Sequence, residues 1–307
     1  MYGARMKRRT FHVRSAGALD AVLREQLGVS SSEARALVEV GAVYVRGRRC
    51  RTPRTHLGPG TAVMVVLEES GSSPLAPRAR PEIRVLYEDE HLLALDKPPG
   101  IPAQPTAARA GDSLVDLASQ YLGRSAGLVH RLDRHTSGVT LFGKEERATR
   151  ALAEQFRRGE IRKRYVAIAA GDVPMAARVD ASLSKDPSRV GRWKVSRGGG
   201  GVAAATRFER LGGADDFSIV ACFPETGRTH QIRAHLASLG APIAGDSLYE
   251  GPPRAGGLAA ERCLLHAQAV AFSHSITGEP LLIESPLPGD LRAFFDRAGA
   301  VEPSGPW

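Results

Sequence analysis

Apolar positions near the start of the chain recur at helical spacing. Leu19, Val22, Leu23 and Leu27 share one face of a helix that Gly28 stops. Ser30, Ser31 or Ser32 can cap a second helix carrying Ala34, Ala36, Leu37 and Val40, which Gly41 ends. "AVYVRGRRC" then reads as strand, turn and strand, and "LGPGTAVMVVL" as a tight turn into a last strand. The pattern breaks at "EESGSSPLAPRARPE", Glu68 to Glu82, whose Ser, Pro and charge predict a linker.

Beyond the linker the periodicity alternates between two and 3.6. "IRVLYEDEHLLALDKP" reads as two strands around an acidic turn, and "GVTLFGK" as a strand with Val139 and Leu141 on one face. "EERATRALAEQFRRG" is amphipathic, with Ala148, Leu152 and Phe156 on one side. "KRYVAIAAG" is a strand placing Tyr165, Ala167 and Ala169 together. "THQIRAHLASLG" is a helix with a predicted buried stripe of Ile232, Leu236 and Leu239 and a stop at Gly240. "GGGG", Gly198 to Gly201, predicts a loop. Many short strands with few helices predict an α+β fold built on a mixed, largely antiparallel sheet, preceded by a small α/β domain. The expected boundaries are 14–68 for the small domain, 69–82 for the linker and 83–300 for the large domain.

Charge narrows the class of partner. The 307 residues carry a formal net charge of +9. Residues 1–68 hold twelve Lys or Arg against five Asp or Glu, a surplus of seven. A basic helix-helix-hairpin unit suits a phosphate backbone, so a nucleic acid is the expected partner. The competing explanation is arginine usage in a GC-rich genome. The three cysteines, Cys50, Cys222 and Cys263, form no C-x-x-C pair, which speaks against structural zinc and for a reducing compartment. "MYGARMKRRTFHVRSAG" is basic but leads into no apolar signal core, and no apolar run reaches membrane-span length. A cytoplasmic protein without membrane association is expected.

Several chemistries can be set aside. "GPPG" and "GGGG" match neither a Walker loop nor a dinucleotide fingerprint, and no G-x-S-x-G elbow occurs. His230 and His235, five apart, do not share a helix face, and His130, His135 and His266 lack a ligand spacing. Two dense stretches remain, "HRLDRHTSG" and "PETGRTHQIRAHL". Each alone could be a polar turn or a surface helix. Together they suggest an Asp133 kept ionised by guanidinium groups, able to act as a nucleophile or to stabilise positive charge at a sugar. Arg233 borders the apolar stripe of its helix, from where it could reach inward. Arg228 and the amides opening that helix could hold a phosphate.

Residues 16–67, with "LDAVLREQLGVSSSEARALVEVGAVYVRGRRC" and "LGPGTAVMVVL" in order, resemble the small RNA-binding domain first described in ribosomal protein S-four. "HRLDRHTSG" and "TGRTHQIRAHL" resemble the ribosomal large-subunit (RluA-like) family of pseudouridine synthases. "VLYEDEHLLALDKPPGIPAQPT", "KRYVAIAAG", "GAPIAGDSLYEG" and "LLHAQAVAFSHSITGEPLLIESPLP" keep the same family order over about residues 83–290. The resemblance implies isomerisation of uridine to pseudouridine in RNA, with no cofactor and no metal. It makes Asp133 the essential aspartate, Tyr165 the tyrosine that packs on the base, and Arg233 the partner of Asp133. It makes Arg131 the residue that enters the RNA as the uridine leaves its stack, and Leu265 the apolar pocket wall. His130, Thr136, Lys97, Arg228, His230 and Gln231 complete the expected substrate site. Asp96, Gln104 and the glycine-rich "WKVSRGGGGVAAATRFE" depart from the family pattern and bear on the RNA-contacting surface. Ribosomal RNA of the large subunit is the favoured substrate and a monomer the expected state. Transfer RNA as substrate, and a non-enzymatic RNA-binding assembly factor, are the alternatives.

Overall fold

A computed structural model describes residues 6–39, 41–68, 82–105, 113–196, 200–214 and 216–307. The predicted linker, Val40 and Gly198–Gly199 of the glycine run lie largely or wholly outside these residues. The chain forms two compact units: 1–82 together with 102–123, and 83–101 together with 124–307.

In the first unit, strands β1 (Met6–His12), β2 (Val43–Val45), β3 (Arg48–Cys50) and β4 (Ala62–Glu68) form an antiparallel sheet in the order β1-β4-β2-β3. Helices α1 (Leu19–Leu27) and α2 (Ser31–Glu39) contribute Leu19, Leu23, Ala34, Leu37 and Val38 to a core shared with Val43, Val63 and Val65. Gly28 ends α1 in the left-handed region, as its position predicts. Of the three candidate caps, Ser30 is the one used: its Oγ accepts from Glu33 N (3.2 Å), and Ser30 N donates back to Glu33 Oε2 (2.9 Å). Arg46 (φ 49°) and Gly47 (φ 77°) both adopt left-handed backbone, which matches a tight hairpin turn to the strand twist. β1 is absent from the sequence-based expectation. It is an edge strand whose Arg8, Arg9 and Thr10 are exposed, so its seven-residue ladder with β4 leaves no apolar alternation to read. A further helix, α3 (Leu114–Leu122), is likewise unexpected and starts at a Ser113–Asp116 capping box.

The second unit is built on a ten-stranded sheet. Its strands are β5 (Arg84–Glu88), β6 (Leu92–Lys97), β7 (Ser137–Gly143), β8 (Arg162–Ala170), β9 (Ala176–Asp180), β10 (Ala205–Ala214), β11 (Phe217–Pro224) and β12 (Leu265–Ser273). They run in the order β9-β10-β11-β8-β12-β7-β6-β5, with Pro280–Glu284 paired to β12 and Gly127–Leu128 to β7. All pairings are antiparallel except β7 with β12, which run parallel at Ser137–His266 and Gly138–Ala267. There the backbones approach closely: a Cβ on Gly138 (φ 111°) would lie 2.1 Å from the Ala267 carbonyl oxygen. The glycine that closes "HRLDRHTSG" is therefore required for the parallel pairing that seats the loop before it.

Helix α4 (Glu146–Arg158) lays Ala148 and Leu152 on Val139 and Leu141 of β7, with Phe156 alongside. Helix α5 (Gln231–Ser238) buries Ile232 and Leu236 in the main core. Leu239, expected in that stripe, is 39% exposed, because α5 ends at Ser238 and the chain turns at Gly240. Helix α6 (Gly289–Ala298) packs Leu291, Phe294 and Phe295 against Phe208 and Phe217. Among the described residues, no helix is long and apolar enough to cross a membrane.

Candidate active site

The loop His130–Thr136 enters β7 and is anchored at several points. Lys97, at the end of β6, is wholly buried, and its ammonium donates to the carbonyls of Pro98 (2.9 Å), Ile101 (2.9 Å) and Arg134 (3.0 Å). Burial lowers its pKa to about 7, yet three acceptors around one nitrogen favour the ammonium form. Arg134 Nε donates to Gly100 O (2.8 Å), and Gly100 N donates to Arg134 O (2.8 Å). Arg262 is clamped by Asp290 at 2.6 and 2.9 Å, and its Nη1 donates to His135 O (2.9 Å). Ser137 Oγ lies 2.9 Å from His266 Nδ1. The loop contacts among these bonds, at Arg134, His135 and Ser137, fix the chain directly after Asp133 without using its carboxylate.

Two residues expected to meet substrate are engaged in this scaffold. All three N–H bonds of Lys97 go to backbone carbonyls. Gln231 is 4% exposed and fully used: Oε1 accepts from Thr226 Oγ1 (2.7 Å) and Arg228 N (2.9 Å), while Nε2 donates to Ala205 O and Thr206 Oγ1 (both 2.9 Å). His130 borders the cleft but its Nε2 accepts from Leu141 N (2.9 Å), with its ring stacked on Phe156. Burial, aided by the Lys163 charge, pushes its pKa down to about 3, so it is neutral and serves as a loop anchor.

Asp133 meets Arg233 of α5. Arg233 Nη1 donates to Asp133 Oδ2 at 2.8 Å. The same guanidinium turns its other edge to Asp246, with Nε to Oδ2 at 2.6 Å and Nη2 to Oδ1 at 2.8 Å. Asp246 is 2% exposed, Arg233 9%. Burial opposes the charge on Arg233, but the bonds and charge of Asp246 outweigh it and raise the pKa, so the guanidinium stays ionised. The ring of Tyr249 lies under Arg233, 5.0 Å from Cζ, and its hydroxyl accepts from Trp193 N (3.0 Å) and donates to Trp193 O (2.8 Å). His230, in left-handed backbone (φ 58°) before α5, places Nε2 3.6 Å from Asp133 Oδ2 and Nδ1 3.2 Å from Tyr249 Oη. Burial lowers the His230 pKa, with Asp133 pulling partly the other way.

These groups open onto a cleft of about 730 Å³ that is lined by Asp133, Thr136, Tyr165, His230, Arg233 and Leu265. Tyr165 reaches it from β8 at a bulge, where the register against β12 shifts between Arg164 and Tyr165. Burial first, and the Asp133 charge second, push its phenol far above the usual range, so it keeps its proton. The rim is basic: Arg131, Arg157, Arg158, Lys163 and Arg228 line it. Arg131 and Arg228 are exposed. Arg228 Nε is tied to Ala203 O (3.0 Å), and its own N–H, expected among the phosphate-facing amides, goes to Gln231 instead.

The structure thus gathers Asp133, Tyr165, Arg233, Leu265, Thr136, His130, His230, Arg131 and Arg228 around one cleft. Lys97 and Gln231 stand as supports of its walls. Asp246, Tyr249 and Arg262 are not among the residues expected from the sequence. Asp246 and Tyr249 lie in "GDSLYEG", a stretch set apart by its family resemblance, where an acid directly after a glycine was the available signal.

Comparison with known proteins bears on the family of the chain. The family described as RNA pseudouridylate synthase matches residues 91–238, and the S4 domain matches residues 19–63. Ribosomal large subunit pseudouridine synthase D of Xanthomonas campestris pv. campestris is 34% identical over 304 residues, covering 92% of this chain and 91% of that protein. Ribosomal large subunit pseudouridine synthase C of Salmonella typhimurium is 36% identical over 297 residues, 89% and 90% of the two chains. Among solved structures, human RNA pseudouridylate synthase domain containing 4 superposes with a TM-score of 0.60 at 25% identity, over 72% of this chain and 94% of that one.

Proposed function

This chain belongs to the RNA pseudouridylate synthase family and carries an S4 domain, and on that premise we propose that it isomerises specific uridines of large-subunit ribosomal RNA, with Asp133 acting at the ribose. The observation that carries the site assignment is the 2.8 Å bond from Arg233 to Asp133 inside a basic cleft that also holds Tyr165 and Leu265.

The reaction breaks the bond from ribose C1′ to uracil N1 and forms one from C1′ to C5. The proton on C5 leaves and N1 gains a proton, so atoms and charge balance with no oxidant or reductant. Asp133 has two routes to start it: attack at C1′, which expels uracil as an anion, or removal of the 2′ proton. Either needs an ionised carboxylate, which the Arg233 bond favours. Tyr165 keeps its proton, so it supports the base as a neutral ring and hydroxyl, not as a phenolate. Leu265, 4% exposed, closes the pocket with apolar surface. In this reading the target uridine leaves its stack to reach Asp133, and Arg131, which is exposed, fills the gap. The basic rim and the basic S4 domain hold the phosphate backbone.

Release of tritium from C5-labelled uridine tests the reading directly. Wild-type protein should release it from a large-subunit ribosomal RNA transcript without added cofactor. Release from transfer RNA alone would move the substrate. Binding without release from either would leave an RNA-binding assembly factor.

A further inference from the structure

We propose that Asp246 is a positioning residue, which holds Arg233 as a fixed donor to Asp133 while preventing the guanidinium from cancelling the Asp133 charge; this rests on Asp133 being the group that acts at the ribose. Asp246 cannot reach substrate. It is 2% exposed and is not among the residues lining the cleft, and its two hydrogen bonds to Arg233 are its direct link to Asp133.

The hydrogen bonds are divided unequally. Asp246 takes the Nε–Nη2 edge of the guanidinium with both oxygens, at 2.6 and 2.8 Å, which leaves the Nη1 end for a single 2.8 Å bond to Asp133. A side-on, two-bond clasp fixes the plane of the fork. Tyr249 supports that plane from one face, and is itself fixed at both its donor and its acceptor by Trp193. Nη1 is thereby aimed at one place.

Charge is divided in the same way. One guanidinium faces two carboxylates, so the trio carries a net charge of −1. A plain Arg233–Asp133 pair would be neutral, and a neutralised carboxylate is a poorer nucleophile and a weaker base. The buried second carboxylate lets Asp133 be oriented by a strong bond and still present negative charge to the pocket. The other titratable groups facing Asp133 do not supply this balance: His230 and Tyr165 are neutral at physiological pH, Lys97 adds positive charge, and the Tyr249 hydroxyl and Cys263 thiol stay protonated.

The test uses the full chain and single-turnover tritium release. Asp246→Asn keeps shape and removes charge. Its maximal rate should fall about 30-fold while KM stays within about threefold. A loss confined to the maximal rate, with KM and the urea midpoint unchanged, separates positioning from a merely structural defect. In an Arg233→Gln background, adding Asp246→Asn should change the rate less than about twofold, since its effect runs through Arg233. A rate for Asp246→Asn within about threefold of wild type, or an equal loss in both backgrounds, overturns the proposal. If Asp246→Asn does not fold, the double variant, which buries no lone charge, decides: a rate matching Arg233→Gln supports the proposal, and a further tenfold loss (about 1.4 kcal/mol) overturns it. A wild type that releases no tritium, or an Asp133→Asn variant as fast as wild type, strikes at the functional reading instead.

Discussion

Asp133 and Arg233, one hundred residues apart, are joined by a 2.8 Å hydrogen bond that ties the loop entering β7 to the first turn of α5. Because Arg233 is also held by Asp246, the two ends of this bond are not equivalent. Removing the aspartate leaves the guanidinium paired; removing the arginine leaves two carboxylates with no cation between them.

That asymmetry sets the first expectation. Asp133→Asn should fold with a stability within about 1 kcal/mol of wild type, since Asp246 still neutralises Arg233. It should bind RNA and lose at least about a hundredfold in rate, or about 2.7 kcal/mol in barrier. Residual activity within about tenfold of wild type, measured by tritium release, would remove Asp133 from its essential role.

Arg233→Ala should be damaging in both respects. Asp246 would become a buried lone charge, a change that typically costs about 3–5 kcal/mol. Arg233→Lys keeps the charge but cannot make the side-on clasp and the end-on bond together, so it should recover only part of the rate. Chemical denaturation of the three proteins, read beside their rates, checks the order wild type, Lys, Ala.

The S4 domain should account for much of the salt dependence of RNA binding. Arg48, Arg51 and Arg54 are exposed on and after its hairpin. Replacing all three with Gln should reduce the slope of log affinity against log salt by about 0.7–0.9 for each phosphate they neutralise. An unchanged slope in filter binding across a salt series would place the RNA elsewhere.

Acid should destabilise the large unit through His266, which is 1% exposed and bonded to Ser137. Burial lowers its pKa to about 4 from an ordinary 6.5. The unfolded chain therefore binds the proton first as pH falls, and the stabilisation present above pH 6.5 is lost progressively down to pH 4. The loss attributable to this group is on the order of 3 kcal/mol. Urea midpoints should fall across that window, and His266→Gln should flatten the fall; parallel profiles for the two proteins would assign the acid sensitivity to other groups.

By itself the sequence determined what is local or compositional. Gly28 and Gly41 stop helices wherever the chain is placed, Ala148 and Leu152 announce an apolar face, and the density of "HRLDRHTSG" and "TGRTHQIRAHL" marks chemistry before any fold is known. The tertiary structure decided which polar groups meet. Lys97 and Gln231 look like substrate ligands in a linear motif, yet each sits where backbone groups converge, and an unmet buried carbonyl or N–H is costly enough to claim them. Leu239 leaves its stripe because the helix ends one residue earlier. β1 hides behind its charges because an edge strand is held by ladder bonds that carry no side-chain signature. Asp246 stays illegible for the same kind of reason: nothing in "GDSLYEG" names a partner, and only the folded chain brings its carboxylate against Arg233, where burial turns an ordinary acid into the second anchor of the guanidinium.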